Sequence, residues 1–467
     1  MLETKAENTE QKVIVVNKNS FLPKNILKSL FIFAKNKSKI FLLVLIPFLI
    51  IAGTAGGYLV GNKKIDPKKI VAPAIPKDRH IAFLSEVYDK IKENYWDNIT
   101  DEQLTNIYVL GTEKLTGQPQ STKPKDKQSL QKMLGKILKD LKEEEEKKQF
   151  TVSLANIVLA NLQPFGRSRL YGQKEETALK NTVENKNPEI DQYEVLGVDK
   201  KASSEQIAQA FEKKSTELKK ESAPEAKQEL SQLNKAFQTL SDEGNRNTYD
   251  QSGAEPTMEH RLVKPNVYYI RVDKFSPTTV QELLRVTEKV DSKDDSLNSL
   301  IIDLRDNVGG AIDGLPYFLG PFIGMDQYAY QFYHQGEKED FKTKIGWLPG
   351  LVRYKKVVVL INENTQSSAE VMAATFKKYN VGVLVGTKTK GWGTVEKVFS
   401  IDQQIDPLEK YSLFLVHSLT LRDDGQPIEG IGVEPLINIE GSNWEKELNA
   451  YFNSPELISA VKEVWKN

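Results

Sequence analysis

Residues 300–310 read "LIIDLRDNVGG". Leu300, Ile301, Ile302 and Leu304 make a short apolar run that stops at charged residues and a glycine pair, the pattern of a buried strand bounded by turn signals. Gly309 and Gly310 supply the permissive backbone that a tight strand-to-helix turn requires. Similar runs recur on either side: "VYYIRV" at 267–272, "KKVVVLI" at 355–361, "VGVLVG" at 381–386 and "SLFLVHSLTL" at 412–421. Between them lie helical patterns such as "SPTTVQELLRVTEKV" at 276–290, where Ser276 can cap, Pro277 suits the first turn, and Val280, Leu283, Leu284 and Thr287 share one face. Strand and helix in alternation predict an α/β core over 255–440 with a mixed, mainly parallel sheet, followed by a helical segment at 441–467.

Upstream the period is helical. In "HIAFLSEVYDKIKENYW", 80–96, Ile81, Leu84, Val87, Tyr88 and Ile91 recur at three- and four-residue steps and open a helical region spanning 80–190. Residues 119–127 read as a loop, and "LKDLKEEEEKKQ" at 138–149 reads as a solvated helical face. Residues 191–254 form a separate all-α module. There Ile207, Ala210, Phe211 and Leu218 mark one helix face and Leu230, Leu233, Phe237 and Leu240 mark another, which together make a helical hairpin.

Residues 40–62, "IFLLVLIPFLIIAGTAGGYLVGN", run 23 residues without a charge. At about 1.5 Å per residue that covers the roughly 30 Å hydrocarbon core, so one transmembrane helix is expected and the lipid bilayer is an expected partner. A cleaved signal peptide has a shorter apolar core, about 7–15 residues. The helix follows a tail at 1–39 and precedes a Pro- and Lys-rich linker at 63–79. Lysines flank it on both sides, so charge does not orient it.

Lys and Arg number 64 against 64 Asp and Glu, so no basic surplus points to nucleic acid. Cysteine is absent, which excludes disulfides, thiolate metal sites and a cysteine nucleophile. His80, His260, His334 and His417 have no ligand spacing, so neither a metal nor a cofactor is expected.

The all-α module resembles a J domain over its full length, through "YEVLGV" at 193–198, Ala236-Phe237, "LSD" at 240–242 and "YDQSG" at 249–253. In that family a His-Pro-Asp tripeptide engages a chaperone ATPase. The matching positions here are Lys219, Lys220 and Glu221, so the resemblance implies the fold without the ATPase partner.

The flanking chain resembles the carboxy-terminal processing peptidases, or tail-specific proteases. The matching segments, in family order, are "LQPFGRSRLYG" at 162–172, "LIIDLRDNVGG" at 300–310, "VVVLINENTQSSAEVMAA" at 357–374, "VGTKTKGWGTVE" at 385–396 and "DGQPIEGIGVEP" at 424–435. Members usually carry a PDZ domain where this chain has its J-like module. The resemblance implies a serine-type peptidase fold, protein C-terminal tails as partners, and an extracytoplasmic position for the part beyond the membrane.

Ser367 falls at the family's nucleophile, before an apolar-periodic stretch that reads as a helix. Backbone N–H groups at such a terminus are unpaired, so the Ser368 amide could stabilise an oxyanion, with Gly309 or Gly310 as second donor by resemblance. The family's general base is a lysine 25 residues after the serine, oriented by a glutamine four further on. Those positions are Trp392 and Glu396. Indole nitrogen only donates, so Trp392 cannot take the serine proton. Lys388, Lys390 and His417 are the candidate substitute bases, with Lys390 two residues from the lost position and about 7 Å away along an extended chain. The expectation is a peptidase-like protein, impaired or inactive, that binds peptide or serves as a scaffold, with Trp392 as an aromatic floor. The alternative is an active serine endopeptidase with a displaced base.

Overall fold

The computed structural model describes residues 78–466, apart from 122, 222 and 292–296. The span expected at 40–62 lies outside these residues. Among the described residues no helix is long and apolar enough to cross a membrane.

The chain begins with four helices, α1 (Arg79–Asn94), α2 (Asp101–Thr116), α3 (Lys127–Asp140) and α4 (Glu144–Ala160). The first three start at a side-chain cap: Asp78 accepts from the His80 and Ile81 amides, the Thr100 and Gln103 side chains each accept the other's backbone N–H, and Asp126 accepts Ser129 N–H. The acidic run expected as one solvated helix is divided. The helices α3 and α4 break at residues 141–143, and Glu144, Glu145 and Glu146 occupy the first turn of α4, where the helix dipole favours negative charge. Leu154, Ala155, Val158 and Leu159 on the same helix are fully buried with Phe83, Leu84, Val87 and Ile91 of α1.

A short strand β1 (Arg169–Tyr171) and helix α5 (Gln173–Val183) lead into the all-α module, built of α6 (Gln192–Leu196), α7 (Ser204–Leu218), α8 (Pro224–Ser241) and α9 (Glu243–Ser252). Its small core gathers Tyr193, Leu196, Ile207, Leu233, Ala236 and Leu240, with the rings of Phe211 and Phe237 stacked 4.2 Å apart. The entering and leaving segments are stapled at the neck. Glu255 N–H donates to Asn185 O, and Asn185 Nδ2 returns a bond to Glu255 O. Arg285 donates to Asn245 Oδ1, and Lys289 pairs with Asp242, which fastens the module to the core.

The core follows as β2 (Met258–Lys264), β3 (Val267–Val272), α10 (Thr279–Asp291), β4 (Ser299–Asp303), α11 (Leu315–Ile323), β5 (Tyr328–His334), β6 (Glu337–Lys342), α12 (Pro349–Val352), β7 (Lys356–Ile361), α13 (Ser368–Lys378) and β8 (Val383–Gly386). It ends with β9 (Thr394–Ser400), β10 (Ser412–Leu421), β11 (Ile437–Asn438), α14 (Trp444–Phe452) and α15 (Pro455–Lys466). One sheet runs β11-β8-β7-β4-β3-β2, parallel except for the β2 edge. Alternate residues go to opposite faces. Leu300, Ile302, Val357, Val359 and Ile361 pack with α10 to α13, while Ile301, Val358 and Leu360 pack with α14 and α15. Burial on both faces explains why these strands read as continuous apolar runs.

The mixed, mainly parallel sheet expected of the core is divided between two sheets. "SLFLVHSLTL" is the centre of a second, antiparallel sheet, in which β10 pairs with β9, β1 and β5, and β5 with β6. Alternation in one strand says nothing about the direction of its partners. For the same reason the region read as helical contains β1, which is a strand only because β10 lies beside it.

Asp303, at the end of β4, is fully buried and is held by the Arg305 guanidinium at 2.7 Å and the Tyr269 hydroxyl at 2.8 Å. Arg305 also donates to the Val464 and Trp465 carbonyls, so it closes the C-terminal end of α15. Arg305→Ala strands a buried carboxylate and is expected to cost about 3–5 kcal/mol. The shift of the urea unfolding midpoint measures it.

Candidate active site

Strands β4, β7 and β8 are neighbours and parallel, so the segments that follow them leave the same edge of the sheet. Those segments carry Gly309 and Gly310, Ser367, and Trp392. The fold therefore brings together three of the sequence segments singled out for chemistry.

Ser367 is the N-cap of α13 with φ 57° and ψ −127°, a conformation that costs a non-glycine residue of order 1–3 kcal/mol. The surrounding turn enforces it. Gly309 lies so close that a Cβ there would come within 2.5 Å of Ser367 Cβ. Gly310, at φ 131°, has no room for a Cβ because the Phe275 carbonyl fills that space. Phe275 N–H donates to Gly309 O, and Ala311 N–H donates to Phe275 O, which pins the glycine pair to the segment after β3.

The two glycines are not equivalent. Gly309 N–H is already donated to Asn307 Oδ1, 2.8 Å away, so of the pair expected to supply an oxyanion donor Gly309 has its N–H engaged within the turn. Asn307 is fully buried, donates to Val272 O, and accepts Gln366 N–H through its own carbonyl. It braces the turn, yet nothing in its spacing set it apart from its neighbours in the sequence. Ser368 lies at the first helical position with its hydroxyl on Gly310 O.

Trp392 stands beside Ser367. The backbone N–H groups of the two residues donate to one and the same oxygen, Glu370 Oε2, at 2.7 and 3.0 Å. The shared acceptor brings the backbone of residue 392 to the serine turn. The indole Nε1–H donates to Glu396 Oε1 at 3.3 Å, and Thr394 Oγ1–H donates to the same oxygen at 2.6 Å. Glu396 is thus bonded to Trp392 and Thr394, and burial pushes its pKa up.

The expected aromatic floor is partly covered. The guanidinium of Arg167 lies 3.3 Å from the centroid of the Trp392 ring, held there by Glu429, which also accepts Gly393 N–H. Arg167 lies inside "LQPFGRSRLYG", but only the return of that segment over the loop gives it a partner.

The substitute bases are placed as follows. Lys388 pairs with Glu434 at 2.8 Å. The Lys390 amine lies 5.4 Å from the Trp392 ring centroid. His417 Nδ1 pairs with Ser418 Oγ, its ring stacks on His334 at 4.3 Å, and burial drives its pKa down to about 3. Among the described residues no group of three or more His, Cys, Asp or Glu residues could hold a metal.

Residues 266–439 match the family model of peptidase family S41, and residues 191–250 match that of the DnaJ domain. The chain is similar to the carboxy-terminal processing protease CtpA of Bacillus subtilis, 24% identical over 423 residues, 88% of this chain and 79% of that protein. It is 27% identical to a carboxy-terminal-processing protease of Bartonella bacilliformis over 190 residues, and that match spans 39% of this chain and only 41% of the relative. The solved structure of a photosystem II D1 C-terminal processing protease aligns with a TM-score of 0.45 at 14% identity, over 78% of this chain and 94% of that one.

Because burial raises the pKa of Glu396 above its unfolded value, its contribution to stability is greatest at low pH and is lost as pH rises through the folded pKa. Glu396→Gln is expected to melt at a higher temperature than the wild type at pH 8, with the gap closing toward pH 4. Thermal melts across that range measure it.

Proposed function

Since the chain belongs to peptidase family S41, as a relative of the carboxy-terminal processing proteases with a J domain inserted, we propose that it binds the C-terminal tails of peptides or proteins without turning them over. The observation that carries this reading is the shared oxygen: the backbones of Ser367 and Trp392 hang from Glu370 Oε2, so the residue held next to the serine turn is one that carries an indole. Indole cannot accept the proton that serine must lose on attack. General-base assistance is worth roughly a hundred- to ten-thousand-fold, and breaking a cooperating pair costs about a million-fold.

Features that serve binding remain. On one side β9 pairs with β10, and no strand among the described residues covers the other side, which leaves an edge able to accept an extended peptide next to Trp392. Val308 is 52% exposed beside the glycine pair, and Phe165 is 68% exposed two residues from Arg167, so apolar side chains rim the site. The bound tail adds to β9 as a strand. Residues 40–62 anchor the protein as a single span, and the part beyond them is extracytoplasmic, where a J module without its tripeptide has no chaperone ATPase to meet.

The test uses the purified full chain and unstructured peptides with free C-termini, with binding read by fluorescence anisotropy and cleavage by mass spectrometry. Binding without cleavage is expected, unchanged in Ser367→Ala. The double variant Trp392→Lys/Glu396→Gln is expected to gain at least a hundredfold in cleavage over the wild type, and Ser367→Ala should abolish that gain. Wild-type turnover abolished by Ser367→Ala would overturn the reading, and its further loss in Lys390→Ala would name Lys390 as the displaced base.

A further inference from the structure

Glu370 belongs to the first turn of α13 and is fully buried. In that position a glutamate usually does one thing: it accepts the N-cap N–H as half of a capping box, here from Ser367 at 3.0 Å. A capping role leaves the rest of the carboxylate to water. Here every other bond comes from a different part of the chain, the segment between β8 and β9. Trp392 N–H reaches Oε2 at 2.7 Å, Gly391 N–H reaches Oε1 at 2.7 Å, and the Thr389 hydroxyl reaches Oε1 at 2.5 Å.

A buried carboxylate is costly unless it is fully hydrogen-bonded, and charge-assisted bonds of this kind are about twice as strong as neutral ones. Four donors on two oxygens meet that requirement. The same four bonds also remove the freedom of both segments, because Ser367 cannot leave its strained conformation, and the 389–392 loop cannot lift, without baring the carboxylate. Thr389 extends the connection, since its hydroxyl oxygen accepts Val433 N–H at 2.7 Å. Lys390 N–H meanwhile donates to Thr365 O on the serine side.

From this convergence we infer that Glu370 is a positioning residue that locks the serine turn and the loop bearing residue 392 into one rigid unit, independently of whether the site turns over. Residue 392 is thereby held beside Ser367 through its backbone N–H on the Glu370 carboxylate, without use of its own side chain. The side chain there can change from an amine to an indole without disturbing the frame. That is the physical reason why the chain keeps the geometry of a serine site after exchanging its base position.

The test reads backbone protection and indole environment, not cleavage, so its outcome is separate from that of the peptide-binding reading. Hydrogen–deuterium exchange is measured on the full chain for wild type, Glu370→Gln and Thr389→Val. In Glu370→Gln the amides of 366–368 and 390–392 are expected to exchange at least tenfold faster, together, while β4 and β7 stay protected. In Thr389→Val only the loop is expected to loosen, by about two- to fivefold. The Trp392 contribution to fluorescence, obtained by subtracting the spectrum of the matching Trp392→Phe variant, is expected to shift to longer wavelength in Glu370→Gln. A purely local helix cap would leave that signal in place. In Glu370→Gln, loosening of one segment alone, or an unmoved Trp392 signal, overturns the inference. If Glu370→Gln unfolds throughout, Thr389→Val decides: a loosened loop supports the unit and an unchanged loop overturns it.

Discussion

Three parallel strands, β4, β7 and β8, lie side by side and are apolar on both faces, so each must be covered above and below before any of them is stable. Helices α10 to α13 cover one face, and α14 and α15 cover the other. With the strands buried in this way, only their carboxyl edge is left to carry polar chemistry. The glycine turn, the serine turn and the loop with Trp392 all issue from it. The buried Asp303–Arg305 pair belongs to the same constraint, because it ties the end of β4 to the end of α15 and so keeps the second covering layer in place.

On that edge the polar groups are paired to an unusual degree. Glu370 has four donors, Glu396 has the indole and a threonine, Glu429 has Arg167 and the Gly393 amide, and Lys388 has Glu434. A general base has to hold a lone pair ready for the serine proton. The side chain at position 392 offers only a donor, and that donor is committed to Glu396. The arginine stacked on the indole adds a positive charge whose own carboxylate partner is close by, so the corner is electrostatically settled.

The inserted module is part of the same rigid frame rather than a loosely tethered domain. Its neck is closed by reciprocal bonds between Asn185 and Glu255, and its helices reach α10 through Asn245 and Asp242. The segment that leaves it continues to Thr257, which donates through both its amide and its hydroxyl to the buried Glu282 of α10. Lys219, Lys220 and Glu221 sit at the far end of α7, exposed, where charge carries no packing cost.

Much of this was legible in the sequence, because the information was local. Apolar runs marked the parallel strands, caps marked the helix starts, and the J-like framework and the 25-residue interval from Ser367 to Trp392 were visible as spacing. The antiparallel sheet was not, since β10 and β1 acquire their partners from residues more than 200 positions apart. Nor were Asn307, Glu370, Arg167 and Glu429, whose side-chain types are common on surfaces and whose roles come from what faces them. The sequence by itself determined the helices, the buried parallel strands and which side chain stands at position 392, because backbone propensity and chemical identity are properties of the residue. Only the tertiary structure decided that Gly309 has already given away its N–H and that one carboxylate joins the serine to the loop, because a hydrogen bond exists only when two distant segments are brought within about 3 Å.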